Sequence, residues 1–374
     1  MMWSSYLLIL FSFILSFFVV YITIPSIVNV SKSKGLFDKP NQRKSHNGYI
    51  PTLGGIATFA AIVISMALFL NTGDSPELLY LIGSMTILFF IGIKDDILMI
   101  APDKKLIGQL LAISIMIFLG NIRLTNLHGF LGIHELNYIT SVLLTSFVMV
   151  VIINAFNLID GIDGLASGIG ILISVAFGIW FYLTGYTNYA VLSAAIAGSY
   201  ISFFGYNVFG NRNKIFMGDT GSLVLGFVIS ILVVQFNEAN INYAGKFAFH
   251  SAPAVSFGVL IIPMIDTLRV FTIRLLKGRS PFMPDKNHLH HRLLLLGFSH
   301  AEATGIFASV NVFFIVLMIS LKSMGLVTLM LINFSVALFF MLLTEAFIYR
   351  QQNRHQNINS NYNQYHQDYP AKSA

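Results

Sequence analysis

Asn154-Ala-Phe-Asn-Leu-Ile-Asp-Gly-Ile-Asp-Gly-Leu-Ala-Ser-Gly168 is the stretch on which the reading of this chain turns. It carries two carboxylates, Asp160 and Asp163, two carboxamides, Asn154 and Asn157, and glycines at 161, 164 and 168. Apolar runs at 139–156 and 165–183 flank it, each long enough to cross a bilayer. Polar groups at a membrane boundary are expensive to place, and they mark function by default. Asn157, Asp160 and Asp163 are spaced by three, so on a helix they share roughly one face. Gly161 and Gly164 weaken such a helix and let a ligand approach the backbone. The N–H groups opening the next helix can receive a phosphate or a carboxylate. The competing reading is that the two acids only cap that helix. A cap needs one acid, and here two acids stand with two asparagines.

Outward from this stretch the chain is strongly apolar. Of its 374 residues, 56% are hydrophobic and 10% charged, against about 25% charged in a soluble domain. Eleven candidate spans follow, at about 6–28, 51–70, 77–93, 105–120, 139–156, 165–183, 189–207, 220–236, 253–272, 303–321 and 325–347. The expected fold class is all-α, a polytopic membrane helix bundle of about eleven transmembrane helices. A membrane barrel would show short alternating segments instead. The first run lacks a small-residue cleavage site and reads as a retained helix. With no cysteine, disulfides and thiolate metal sites are excluded. Residues 1–350 are expected to form the membrane domain. The segment 351–374, rich in Asn, Gln, Tyr and His, is expected to be a disordered cytoplasmic tail.

Orientation follows from Lys and Arg. With the N-terminus outside, 19 of the 22 fall on inside loops and inner helix ends, and only Arg123, Lys246 and Lys322 fall outside. That asymmetry matches the positive-inside rule. It also explains the net charge of +6 without nucleic acid. The same arrangement brings Asp95-Asp96, the 154–168 stretch, Asp219 and the histidine-rich loop to one cytoplasmic face.

Each cluster has a functional and a bland reading. Adjacent Asp95 and Asp96 repel, and one is expected to titrate high unless Lys94, Lys104 or Lys105 lies close; the functional reading is a metal-phosphate or proton-accepting site, the bland one a solvated pair at a helix end. Phe216-Met-Gly-Asp-Thr-Gly-Ser222 opens a span, where Asp219 or Thr220 would serve as an N-cap. Facing Asp160 and Asp163, Asp219 would instead form a hard oxygen site for Mg²⁺. Pro284-Asp-Lys-Asn-His-Leu-His-His-Arg292 packs His288, His290 and His291 beside Lys286 and Arg292. These side chains, with Arg279, read as donors to a diphosphate, against a basic segment touching anionic lipid. Lys39-Pro-Asn-Gln-Arg-Lys-Ser-His46, with Lys44 and His46, reads as a phosphate-contacting loop or a lipid-facing one. Asp266 lies one turn from Arg269, and pairing between them accounts for both.

Phe37-Asp-Lys-Pro-Asn-Gln-Arg-Lys-Ser-His46, Pro51-Thr-Leu-Gly-Gly55, Asp95-Asp96, Asn154 to Gly164, Phe216 to Ser222 and His288-Leu-His-His291 together resemble the polyprenyl-phosphate N-acetylhexosamine-1-phosphate transferases. The resemblance runs from about residue 30 to 300 in the family's motif order. Within the family, His-x-His-His and eleven spans resemble the undecaprenyl-phosphate N-acetylglucosamine-1-phosphate transferases more than the phospho-MurNAc-pentapeptide transferases.

The resemblance implies a reaction between a UDP-N-acetylhexosamine and undecaprenyl phosphate. It gives the lipid-diphospho-sugar and UMP, with Mg²⁺ or alternatively Mn²⁺ as cofactor, in the bacterial plasma membrane. It admits a homodimer. It implies that Asp219, with Asp160, holds the metal, and that Asp95 and Asp96 engage the lipid phosphate. It further implies that Asn157, Asp160 and Asp163 bind nucleotide, with Phe216 near the uracil. His288, His290 and His291 would contact the diphosphate or sugar. The segment after Asp96 lacks a basic residue that some relatives place there, which leaves Lys104 and Lys105 unassigned. An intramembrane aromatic prenyltransferase would carry two Asp-rich motifs and no histidine loop. A transporter would show inverted repeats and midplane polar residues.

Overall fold

The computed structural model describes residues 4–36, 50–71, 73–276, 278 and 288–368, with side chains described as far as residue 350. Lys44, His46 and Arg279 lie outside the described residues.

Thirteen helices are present in this description, and all but α11 overlap the apolar runs: α1 (Ser5–Lys34), α2 (Gly54–Phe69), α3 (Glu77–Leu98), α4 (Pro102–Phe118), α5 (Tyr138–Ile159), α6 (Leu165–Leu183), α7 (Thr187–Phe209), α8 (Gly218–Asn242), α9 (Ala252–Val259), α10 (Ile261–Leu276), α11 (Leu289–Leu295), α12 (His300–Ser320) and α13 (Leu326–Asp368). Eight are long and apolar enough to cross a membrane, and the bent α9–α10 pair brings this to as many as nine. The helices α2 and α4, with 16 and 17 residues, are shorter than a full crossing. The protein is an all-α, multi-pass membrane bundle.

Local chemistry sets several boundaries. Asn137 caps α5 by accepting from Thr140 N–H at 2.9 Å. Ser299 and Glu302 form a capping box on α12. Gly35 ends α1 in the left-handed conformation, φ 68°. The helix α13 continues to Asp368, past Gln351 where composition suggests a disordered tail. From 351 to 368 there is no Gly or Pro to stop a helix, and Pro370 is the first.

The core is built around α8, which is buried along nearly its whole length and packs against α2, α3, α5 and α6. By contrast, α1 and α13 display many exposed large apolar side chains, as lipid-facing helices do. Glycines set the close approaches. A methyl group on Gly55 would strike the Gly221 backbone, one on Gly92 the Thr220 backbone, and one on Gly226 the Ile153 backbone. Small residues at crossings are how helices pack in lipid, where van der Waals contact replaces the hydrophobic effect. Through these contacts the first turn of α8 lies directly against α2 and α3.

At the opposite end of α8 a short hairpin, β1 (Asn126–Phe130) with β2 (Ile133–Glu135), covers the bundle. Its approach is fixed by Thr125, whose N–H and hydroxyl each donate to Glu238 at 2.7 Å. Glu238, which reads as a scattered outer acid from sequence, is thus a specific anchor.

Candidate active site

The site forms where α3, α4, α5 and α8 meet. Asp95 and Asp96 end α3, and successive helical residues point about 100° apart. The two acids therefore do different things. Asp96 faces α8: one carboxylate oxygen accepts Asp219 N–H at 2.7 Å. The other accepts the Thr220 hydroxyl at 2.6 Å and Thr220 N–H at 3.1 Å. Asp96 is thus the N-terminal cap of α8, supplied from another helix, and it also complements the helix dipole. Gly218, at φ 71°, allows this, because a side chain there would collide with Asp96 and the Thr52 carbonyl.

Asp95 faces α4. One oxygen accepts Ile100 N–H at 2.7 Å, and the other lies 3.0 Å from Lys105 Nζ. Lys105 is the hub of the cleft. Its ammonium also donates to Asp219 at 2.9 Å and to the Asn157 carboxamide oxygen at 3.2 Å. Asn157 completes the ring by donating its amide to the same Asp219 oxygen and to Ser222 Oγ, the latter at 2.9 Å. Asp219 is therefore oriented from three sides: Asp96 on its backbone, Lys105 and Asn157 on its carboxylate. Asn154 pairs reciprocally with Gln109 at 2.9 and 3.3 Å, which ties α5 to α4.

Asp160 ends α5. Burial, then the nearby charges of Asp219, Asp96 and Asp163, holds its carboxyl well above the ordinary carboxylate range. Among the described residues no hydrogen bond or ion pair reaches it. A hard cation held with Asp219 would relieve this repulsion.

Asp163 behaves oppositely. Burial disfavours its charge, yet hydrogen bonds and charges from His300 and Lys214 outweigh burial and hold its carboxyl below the ordinary range. Lys214 lies 2.7 Å away and His300 3.2 Å away. Its own carbonyl accepts the Thr304 hydroxyl at 2.8 Å. The acids 160 and 163 therefore share a turn but not a role: one has no partner among the described residues, and the other locks the turn to α12 and to the segment before α8.

Phe216 enters through its backbone. Its N–H donates to the Pro51 carbonyl at 2.8 Å, and its carbonyl accepts Gly54 N–H at 3.0 Å. The Met217 carbonyl takes Gly55 N–H at 2.9 Å. The residues before α8 thus satisfy the first amides of α2.

Beside the acid turn lies α11 with its histidines. A methyl group on Gly161 would collide with His290 Nε2. Asp266, His288 and His290, all buried, bring candidate ligand atoms within 4.8 Å of one another. The expected pairing of Asp266 with Arg269 is not what binds Asp266. Asp266 turns to His288, 2.9 Å away, while Arg269 pairs with Glu345 of α13. Glu345 also receives Arg292 at 3.3 Å. The partners that win are far off in sequence, because the 82° bend between α9 and α10 carries α10 across the bundle toward α11 and α13.

Lys214 and His300 are the functional candidates that motif reading did not single out, and Lys105 it names only beside Lys94 and Lys104, without choosing between them. Lys105 had a legible mark: with Gly108, Gln109 and Ala112 it lies on the face of α4 that is buried.

A multi-pass bundle whose carboxylates and half-buried lysine converge at one end has the make-up of a membrane transferase for phosphate esters. Residues 78–237 match glycosyl transferase family 4. The chain is 32% identical over 281 residues to an undecaprenyl-phosphate alpha-N-acetylglucosaminyl 1-phosphate transferase of Escherichia coli, covering 73% of each chain. It is 34% identical over 278 residues to the protein of that name from Salmonella typhi, covering 72% of each. It is 31% identical over 294 residues to a decaprenyl-phosphate N-acetylglucosaminephosphotransferase of Mycolicibacterium smegmatis, covering 71% of this chain and 70% of that one. The chain belongs to glycosyl transferase family 4, alongside these polyprenyl-phosphate sugar-phosphate transferases. The family match spans α3 to α8 and so contains Asp95, Asp96, Lys105, Asn157, Asp160, Asp163 and Asp219.

Proposed function

We propose that the protein transfers N-acetylhexosamine 1-phosphate, as GlcNAc 1-phosphate, from the UDP-sugar to undecaprenyl phosphate. The reaction releases UMP and forms the lipid-diphospho-sugar that begins a cell-surface polysaccharide. The observation that carries this reading is the Lys105 ammonium held between Asp95, Asp219 and Asn157, in a chain of this family.

An oxygen of the lipid phosphate forms a bond to the sugar-bearing phosphorus. The bond from that phosphorus to the bridging oxygen breaks, and UMP leaves with the electron pair. A phosphate monoester with a second pKa of about 6 is already mostly dianionic at neutral pH, so no base is required. Catalysis then rests on positioning and on charge placed where it develops. Lys105, beside Asp95, meets the acceptor phosphate. Asp96 positions Asp219 by holding the α8 N-terminus. Asp160 and Asp219 would hold Mg²⁺, with Mn²⁺ as a substitute, and the metal would neutralise diphosphate charge. Asn157 orients Asp219. The turn at 160–164, locked by Asp163, receives the nucleotide with Phe216 near the uracil. Lys44, His46, Arg279, His288, His290 and His291 contact the diphosphate and sugar.

The charge asymmetry of the loops supports a cytoplasmic cleft in a bacterial plasma membrane, with the N-terminus outside. In a homodimer each chain would carry its own cleft. The test is transfer of radiolabel from UDP-GlcNAc into the lipid phase by purified protein. Labelling is expected only with both undecaprenyl phosphate and Mg²⁺. No labelling from any UDP-N-acetylhexosamine contradicts the proposal.

A further inference from the structure

Asp266 is a buried carboxylate that the proposed chemistry does not use; its residue is 3% exposed. It sits on α10 just past the bend. One oxygen accepts Leu289 N–H at 2.7 Å. That amide opens α11, and His288, which precedes it, makes no side-chain cap of its own. The other oxygen lies 2.9 Å from His288 Nδ1 and 3.7 Å from His290 Nδ1. Both histidines are buried, at 4% and 1% exposure. Their rings stack 5.4 Å apart with an interplanar angle of 16°. Among the described residues His290 Nδ1 has no hydrogen-bond partner, and Asp266 is its charged neighbour. On its far side, His290 Nε2 rests against Gly161, next to Asp160.

A continuous line therefore runs from Asp266 through the histidine rings to the acid turn. A carboxylate removed from water persists only where hydrogen bonds replace hydration, and here both oxygens are engaged. A proton on His288 Nδ1, donated to Asp266, fixes the tautomer and leaves Nε2 as the nitrogen for other contacts.

We infer that Asp266 is a positioning residue, which sets the tautomer of His288 and, through the stacked rings, the seat of His290 against the 160–164 turn. The inference rests on the proposed transferase reading, in which those histidines meet the donor. Asp266 itself touches no substrate.

The test uses the full-length protein in lipid, with Asp266→Asn and Asp266→Glu compared by UMP release and by melting midpoint. Asp266→Asn retains the shape and removes the charge that selects the tautomer. Expected is a fall in kcat of about tenfold to hundredfold, by analogy with the loss of a partner that orients a metal-ligating histidine. KM for both substrates should stay within about threefold by the same reasoning. The melting midpoint is unchanged, and Asp266→Glu restores most of the rate. Normal turnover by Asp266→Asn overturns the inference, as does a loss of rate that only tracks loss of folding. Cobalt(II) absorption bands that appear on adding Co²⁺ to wild type and vanish in Asp266→Asn overturn it too, by making Asp266 a metal ligand. Wild type that releases no UMP sinks the transferase reading itself; active wild type with unaffected variants sinks only the role of Asp266.

Discussion

The Lys105 ammonium lies 2.9 Å from an oxygen of Asp219, and the same nitrogen reaches Asp95 at 3.0 Å. A lysine so placed is the counter-ion of the cleft's carboxylates and a ready partner for an incoming phosphate. Lys105→Met removes it. Loss of one preorganised charge at a site of phosphoryl transfer is expected to lower kcat about 10²- to 10³-fold. Lys105→Arg keeps the charge but replaces a compact ammonium by a planar fork, so an intermediate rate is expected. UMP release by Lys105→Met within tenfold of wild type would remove Lys105 from the chemistry.

Asp160 separates function from stability. Its carboxyl is raised by burial first and then by Asp219, Asp96 and Asp163. A carboxyl raised in the folded state opposes folding once the pH is high enough to ionise it. Asp160→Asn should therefore melt no lower than wild type at neutral pH in EDTA, while losing activity. Adding Mg²⁺ should raise the midpoint of wild type by about 2 °C or more and leave that of the variant in place. Equal Mg²⁺ responses would exclude Asp160 from the metal pair.

Asp163 makes the opposite pH prediction. Against burial, His300 and Lys214 depress its carboxyl below the ordinary value. A depressed carboxyl contributes stability above its unfolded pKa, about 3.9, and loses it as the pH falls through the lower folded value. Asp163→Asn is expected to cost about 1.5–3 kcal/mol at pH 5 to 7, the range for hydrogen bonds to a charged group. The gap between variant and wild-type midpoints should close below about pH 4. A gap that is constant into acid would mean that the ion pair does not supply the stability.

Orientation can be read directly because the chain has no cysteine. Leu131→Cys places a thiol at the exposed tip of the hairpin, and Arg212→Cys places one in the exposed loop between α7 and α8. In intact cells an impermeant maleimide should label the first and spare the second, with both labelled after lysis. The reverse pattern would invert the proposed topology.

Much of the fold was legible because each apolar run had to become a helix to satisfy its backbone in lipid. From sequence 253–272 reads as one continuous span, and the structure breaks it between α9 and α10. Pro263 was the available mark: it has no N–H for the carbonyl of Val259, and α9 ends at Val259. The acids of the cleft were legible as types and places, but not as roles. Asp95 and Asp96 are adjacent in sequence, and only packing decides that one meets Lys105 and the other α8. Lys104 and Lys105 pose the same problem, since the helix faces that separate them are set by where α5 lies. Asp266 and Arg269 illustrate the limit. A local pairing one turn apart was sufficient on paper, and partners 22 and 76 residues away replaced it.

The central claim is that the cleft transfers a sugar phosphate and not a sugar. The direct measurement is the nucleotide released when purified protein converts undecaprenyl phosphate with UDP-GlcNAc. The account predicts UMP, one for each lipid-diphospho-sugar formed. Release of UDP with a lipid-monophospho-sugar would contradict it.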